Sequence, residues 1–197
     1  MGNSYTDAPS AIGAYNVSVN IAEGSNYKGN NFSDIASFFI YEFSDSEWQI
    51  LEQINAKYDN CSEWTHKWDM TSGKIGVSEL HGLTIKKGHI TAIDLSNNNI
   101  EGDFPYEVLT LPMLNSLNLS SNNINCDIGE GTQEFIDDND FIANVKDINI
   151  SNNEIEGNIG IFTSCMPNLT TLIASNNCIS DVQPTIPPTI KTLELSG

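Results

Sequence analysis

Along the second half of the chain, apolar residues return in one arrangement: aliphatic at positions one, four, six and eleven, with asparagine at nine. The copies are Ile90, Ile93, Leu95, Asn98, Ile100; Leu114, Leu117, Leu119, Asn122, Ile124; Val145, Ile148, Ile150, Asn153, Ile155; and Leu169, Leu172, Ala174, Asn177, Ile179. A fifth copy opens with Ile190, Leu193 and Leu195, and successive starts lie 24, 31, 24 and 21 residues apart. Residues alternate between the two faces of a strand, so Ile93 and Leu95 point inward while Asp94 points out. Each copy therefore predicts one short parallel strand. A single copy cannot bury its apolar face alone, which forces the copies to stack around a shared core.

The asparagine position needs an amide, which both donates and accepts. Placed where the strand bends away, Asn98, Asn122, Asn153 and Asn177 can satisfy backbone groups of their own loop and of the next coil, a structural ladder rather than a reactive set. The residues between the two core aliphatics, Asp94, Asn118, Asn149, Ile173 and Glu194, form one outward row and are the expected partner-binding residues. In the fourth copy Ala174 replaces a large core residue while Ile173 faces out, which makes Ile173 the expected anchor.

Upstream, Ser44 and Glu47 have the spacing of a capping box, and Trp48, Leu51, Ile54 and Tyr58 follow at helical intervals. A helix over residues 45–58 is expected to cover the edge of the first coil. Ile35, Phe38, Phe39 and Phe43 suggest a second helix over residues 34–42. Alternation over residues 15–21 predicts one strand in an otherwise Gly-, Asn- and Ser-rich segment. The seven extra residues of the second copy fall in an acidic stretch, where a solvated helix over residues 133–143 is expected. Asp137, Asp138, Asn139 and Asp140 lie close together there, but the glycine and closing Glu of a calcium loop are missing. The organisation expected is a loose extension with one strand over 1–33, a helical and hairpin cap over 34–89, and about five repeats over 90–197.

These residues resemble the leucine-rich-repeat family over roughly residues 46–197. Ile100, Gly102, Phe104, Pro105, Val108, Leu111 and Leu114 look like the plant-type repeat, and Ile155, Gly157 and Ile159 repeat part of it. Pro184, Pro187 and Pro188 are more like the short proline-rich repeats of some bacterial proteins. Trp68, Gly82, Ile85, Gly88 and Ile90 look like the N-terminal cap of such proteins, a Trp followed by a hairpin. Ile85 stands where many plant caps carry a disulfide, which points to a bacterial surface or secreted relative. The resemblance implies an α/β fold, a right-handed solenoid with parallel strands on its concave face. It also implies a binding module for a protein or, alternatively, a glycan, at the cell surface or outside the cell. The rival reading is a passive structural or adhesive segment of a longer surface protein.

Composition narrows the partners. With 26 acidic residues against 8 basic, all Lys, the net charge is −18, which repels a nucleic-acid backbone and favours basic partners. The four Cys (Cys61, Cys126, Cys165, Cys178) lack the pairing and His spacing of a zinc site, so no metal or cofactor is expected. Their disulfide pairing is open, and Cys165 reads as a buried thiol. No stretch reaches the length of a membrane span, and no signal peptide is visible. None of His66, His81 and His89 lies in a nucleophile or metalloprotease motif, so no enzyme activity is expected. Sequons at Asn16, Asn31, Asn60, Asn118, Asn149 and Asn168 say little of origin, because the repeat itself creates two of them. The chain stops inside the fifth copy without a polar capping unit, so the expectation is either a fragment of a longer array or a C-terminal edge that pairs with another copy.

Overall fold

A computed structural model describes residues 13–21, 30–40, 42–138, 143–183 and 186–197. The chain forms two compact units, residues 1–42 and 43–197. In the first, strand β1 (Gly13–Ile21) pairs antiparallel with β2 (Asn30–Ile40), setting Tyr15 opposite Phe38 and Val17 opposite Ala36. Where a helix is expected over residues 34–42, residues 34–40 belong to β2, and residue 41 lies outside the described residues. Residues 35, 38 and 39 fit the helical period rather than alternation, but Phe and Ile also favour a strand, and pairing with β1 supplies the ladder. The rest of the expected loose extension, residues 1–12 and 22–29, lies outside the described residues.

The second unit opens with helix α1 (Asp45–Lys57), whose first free N–H groups are partly met by Ser44, its Oγ accepting from Glu47 N at 3.4 Å. Glu47 does not return the bond as a capping box would. Its carboxylate is fully buried and accepts from His89 Nδ1 and from Ile90 N, both at 2.7 Å, tying the helix to the hairpin behind it. Leu51, Ile54 and Tyr58 are buried, while Trp48 is half-buried and donates to Glu52. The Tyr58 hydroxyl donates to the Asp103 carbonyl at 2.7 Å, so the helix does cover the first coil.

The hairpin of β3 (Leu83–Lys86) and β4 (His89–Asp94) leads from this cap into the repeats. Trp68 is buried behind it, donating to the His81 carbonyl at 2.9 Å. Gly82 has φ +80°, and a Cβ there would collide with the Asp94 carbonyl, so the close approach of cap and first strand requires glycine.

Five strands then run parallel: β4, β6 (Ser116–Asn118), β8 (Asp147–Asn149), β10 (Thr171–Ile173) and β12 (Thr192–Glu194). In space the sheet order is β12-β10-β8-β6-β4-β3. Returning segments carry short second pairs, β5 (Glu101–Gly102) with β7 (Asn123–Ile124) and β9 (Glu156–Asn158) with β11 (Cys178–Asp181). They also carry α2 (Ile128–Asp138) and α3 (Ile159–Thr163). The core between these layers includes Ile93, Leu95, Leu117, Leu119, Ile148, Ile150 and Leu172, all at most 2% exposed.

Helix α2 begins five residues before the expected start. Asp127 Oδ1 accepts from Gly129 N and Glu130 N at 3.0 and 2.9 Å, capping the turn, and Gly131 packs where a Cβ would strike the Tyr106 hydroxyl. Two helix-weakening glycines are thus placed by packing, which overrides their propensity. Of the expected continuation to residue 143, residues 139–142 lie outside the described set.

Candidate binding face

Strand alternation puts two residues of every repeat strand on the face away from the core. One row is Ala92, Ser116, Asp147, Thr171 and Thr192; the other is Asp94, Asn118, Asn149, Ile173 and Glu194, in register across the five strands. The second row is the one expected from sequence, and the structure brings its five members together. The first follows from the same alternation, two residues earlier, but no motif letter marks it.

The polar members of the second row also shape the backbone. Asp94 Oδ1 accepts from Ser96 N and Oγ at 3.0 and 2.7 Å; Asn118 binds Ser120, and Asn149 binds Ser151, in the same way at 3.1 and 2.8 Å. Each acceptor ends its strand by turning the chain two residues on. Ile173 cannot make this bond, so in the fourth strand the position is left to an aliphatic side chain. Burial pushes the Asp94 carboxyl up, but bonds from Ser96, the Asn118 side chain and the charge of His81 outweigh it and hold the group below its usual range. It is an anion at neutral pH. A shallow depression of about 180 Å³ lies on this face, with Asn118, Asp147, Asn149, Thr171 and Ile173 in its wall.

Behind the row, the repeat asparagines join the coils. Asn122 Oδ1 accepts from Asn98 N and Ile100 N, both at 3.0 Å, while its Nδ2 donates to the Leu95 and Leu119 carbonyls at 2.8 and 2.9 Å. Asn153 accepts from Ile124 N at 3.1 Å and donates to Leu119 and Ile150; Asn177 accepts from Ile155 N at 3.0 Å and donates to Ile150 and Ala174. Asn98 has no preceding repeat. Its Oδ1 accepts from His66 N at 2.7 Å and from His66 Nδ1 at 3.1 Å, and its buried Nδ2 has no partner.

A larger groove of about 540 Å³ lies on the flank, between α1 and α2, with Lys57, Tyr106, Glu107, Cys126 and Phe135 among its walls. Burial pushes both the Tyr106 hydroxyl and the Cys126 thiol above their usual ranges, so neither is primed as a nucleophile. Burial likewise raises the Cys165 thiol to about 11. All four Cys are free thiols. Among the described residues the His ring bonds go to Asn98 and Glu47 rather than to Ser or Cys, and His66 stacks on His81 at 4.2 Å. No group of three or more metal-ligating side chains occurs among the described residues, and none of their helices is long and apolar enough to cross a membrane.

Three family models match the chain: Leucine Rich Repeat over residues 89–111, Leucine Rich repeat over 110–130, and Leucine Rich repeats (2 copies) over 143–187. Residues 89–130 and 143–187 thus carry leucine-rich repeats. Its fold is similar to that of a chain in the crystal structure of the BIR3–SERK2 complex from Arabidopsis thaliana, with TM-score 0.57 and 21% identity over 75% of this chain and 79% of that one. It is also similar to the BIR2 ectodomain from Arabidopsis thaliana, with TM-score 0.50 and 18% identity over 70% of each chain. No curated protein matches the chain.

Proposed function

We propose that the chain is a binding module that holds a protein partner on the concave sheet, with Ile173 as apolar anchor and Asp94, Asn118, Asn149 and Glu194 around it. The observation that carries this reading is the change of side chain along a fixed row: carboxylate, amide, amide, isoleucine, carboxylate on strands of one register. The core rows on the same strands are almost uniformly aliphatic. A scaffold that holds its core row constant while its outward row varies fits recognition of a particular partner. A polar surround with one aliphatic centre has the composition of a small interface. The complex in which one similar fold was solved, and the ectodomain nature of the other, agree with a protein partner and with a location outside the cell.

The test is affinity capture from native and host-surface extracts, comparing the parent with an Asn118→Arg, Asn149→Arg, Ile173→Arg variant. Proteins retained by the parent alone support the reading. Retention of a glycan alone replaces the partner class, and identical capture by both chains moves the concave sheet to a passive structural role.

A further inference from the structure

Asp94, Asp147 and Glu194 are the only charged residues in the two outward rows, and they stand on β4, β8 and β12, every second strand of the sheet. The intervening strands offer Ser116 and Asn118, then Thr171 and Ile173, all uncharged. None of the three carboxylates has a Lys partner among the described residues: the Lys ion pairs run to Glu107, Asp59 and Asp45 instead. All three are exposed. The face therefore carries three carboxylates in a regular series without a Lys ion pair, although His81 lies near Asp94 and the Thr170 hydroxyl donates to Asp147 at 3.2 Å.

Neighbouring strands lie about 4.8 Å apart, so the carboxylates recur every ~10 Å across the sheet, and Asp94 and Glu194 are about 19 Å apart. Asp147 stands in the other row, about 6.6 Å to one side along the strand. A chain in the polyproline II conformation rises about 3.1 Å per residue with three residues per turn, so one of its edges returns every ~9 Å. A β-strand presents one face every ~6.6 Å, out of step with the series. An α-helix, about 10–12 Å wide, is broader than the strip between the two outward rows.

We infer that the concave sheet takes an extended basic peptide segment in the polyproline II conformation, lying across the strands with Lys or Arg at every third position. Its first, fourth and seventh residues meet Asp94, Asp147 and Glu194, and long basic stems absorb the sideways offset of Asp147. Between the fourth and seventh residues the segment passes over Ile173 on β10, where an apolar side chain fits. This rests on the concave sheet being the binding face and names the chemistry of the partner.

The test is a titration of labelled nine-residue, proline-rich synthetic peptides, followed by fluorescence anisotropy. One carries Lys at every third position; others have the same composition with Lys at every second position or consecutively. The protein is the parent or an Asp94→Asn, Asp147→Asn, Glu194→Gln variant. Asn at 94 retains the turn to Ser96, as Asn118 and Asn149 demonstrate in the neighbouring strands, and a thermal melt verifies the fold. The parent is expected to bind the every-third peptide about threefold more tightly than the respaced ones and about tenfold more tightly than the variant does, with affinity falling at about 0.5 M salt. Equal affinity for all spacings, retained affinity in the variant, or no binding at about 1 mM peptide would each overturn the inference. A concave partner captured from extracts alongside such a result leaves the binding module standing and removes only the basic peptide.

Discussion

Asn122 and Asn98 occupy the same repeat position but meet different neighbours. Asn122 has a coil on each side, and its amide closes four short bonds, two to N–H groups and two to carbonyls of the adjoining turns. Asn98 faces the cap, where His66 supplies both donors to its Oδ1 and no carbonyl meets its Nδ2. The repeat rule thus needs a copy in front of the asparagine, as Asn122, Asn153 and Asn177 all have; at the joint with the cap, the carbonyl side of the amide is refitted to His66 and the other left open.

The largest effect expected from breaking this comparison is at Asn122. Asn122→Ala strands the Asn98 and Ile100 N–H groups and the Leu95 carbonyl, while the Leu119 carbonyl keeps its bond from Asn153; at about 1–3 kcal/mol for each group that water cannot reach, a loss of about 3 kcal/mol or more is expected in urea unfolding. Asn98→Ala removes bonds from one partly exposed neighbour and should cost about 1–2 kcal/mol. Equal losses at the two sites would remove the distinction between an interior coil and the cap joint.

The core row sharpens the same contrast. Leu117 is 1% exposed between neighbouring strands on both sides, whereas Leu193, its equivalent on β12, is 40% exposed with β10 as its one strand neighbour. Leu117→Ala is expected to cost about 2–5 kcal/mol, and Leu193→Ala below about 1 kcal/mol, by the same unfolding measurement. The smallest effect is chemical. With its thiol held up to about 11 by burial, Cys165 should stay protonated at pH 8 and react with iodoacetamide far more slowly than exposed Cys178, as peptide mass spectrometry would register. Equal rates at the two sites would contradict that burial.

Much of the second unit was legible because one strand period recurs in five copies, and each copy fixes the register of the next. Alternation around Ile93, Leu117, Ile148 and Leu172 separates the core row from the outward rows without any tertiary information. The cap was legible where a signal was local, as with Ser44 and the Leu51, Ile54, Tyr58 face. It was not legible where a long-range bond decided the role: Glu47 looked like a capping residue and instead closes on His89 and Ile90, more than 40 residues away. Residues 34–42 misread for a related reason, since the pairing partner that makes β2 a strand is β1, outside any local window. The early start of α2 rests on the local cap at Asp127, whereas the place of Gly131 against Tyr106 is a contact between distant segments. On the outward face, the row of Asp94, Asn118, Asn149, Ile173 and Glu194 could be read from spacing. The local bonds from Ser96, Ser120 and Ser151 to that row could not, because they depend on the backbone turn that the row itself creates.

The most direct test of the concave face as the partner surface is hydrogen–deuterium exchange of the chain with and without a captured partner. Slowed exchange in residues 116–120, 147–151 and 171–175, with α1 and α2 unchanged, is the result predicted. Slowed exchange confined to α1, α2 and the flank groove around Tyr106, with the strands unchanged, would contradict it.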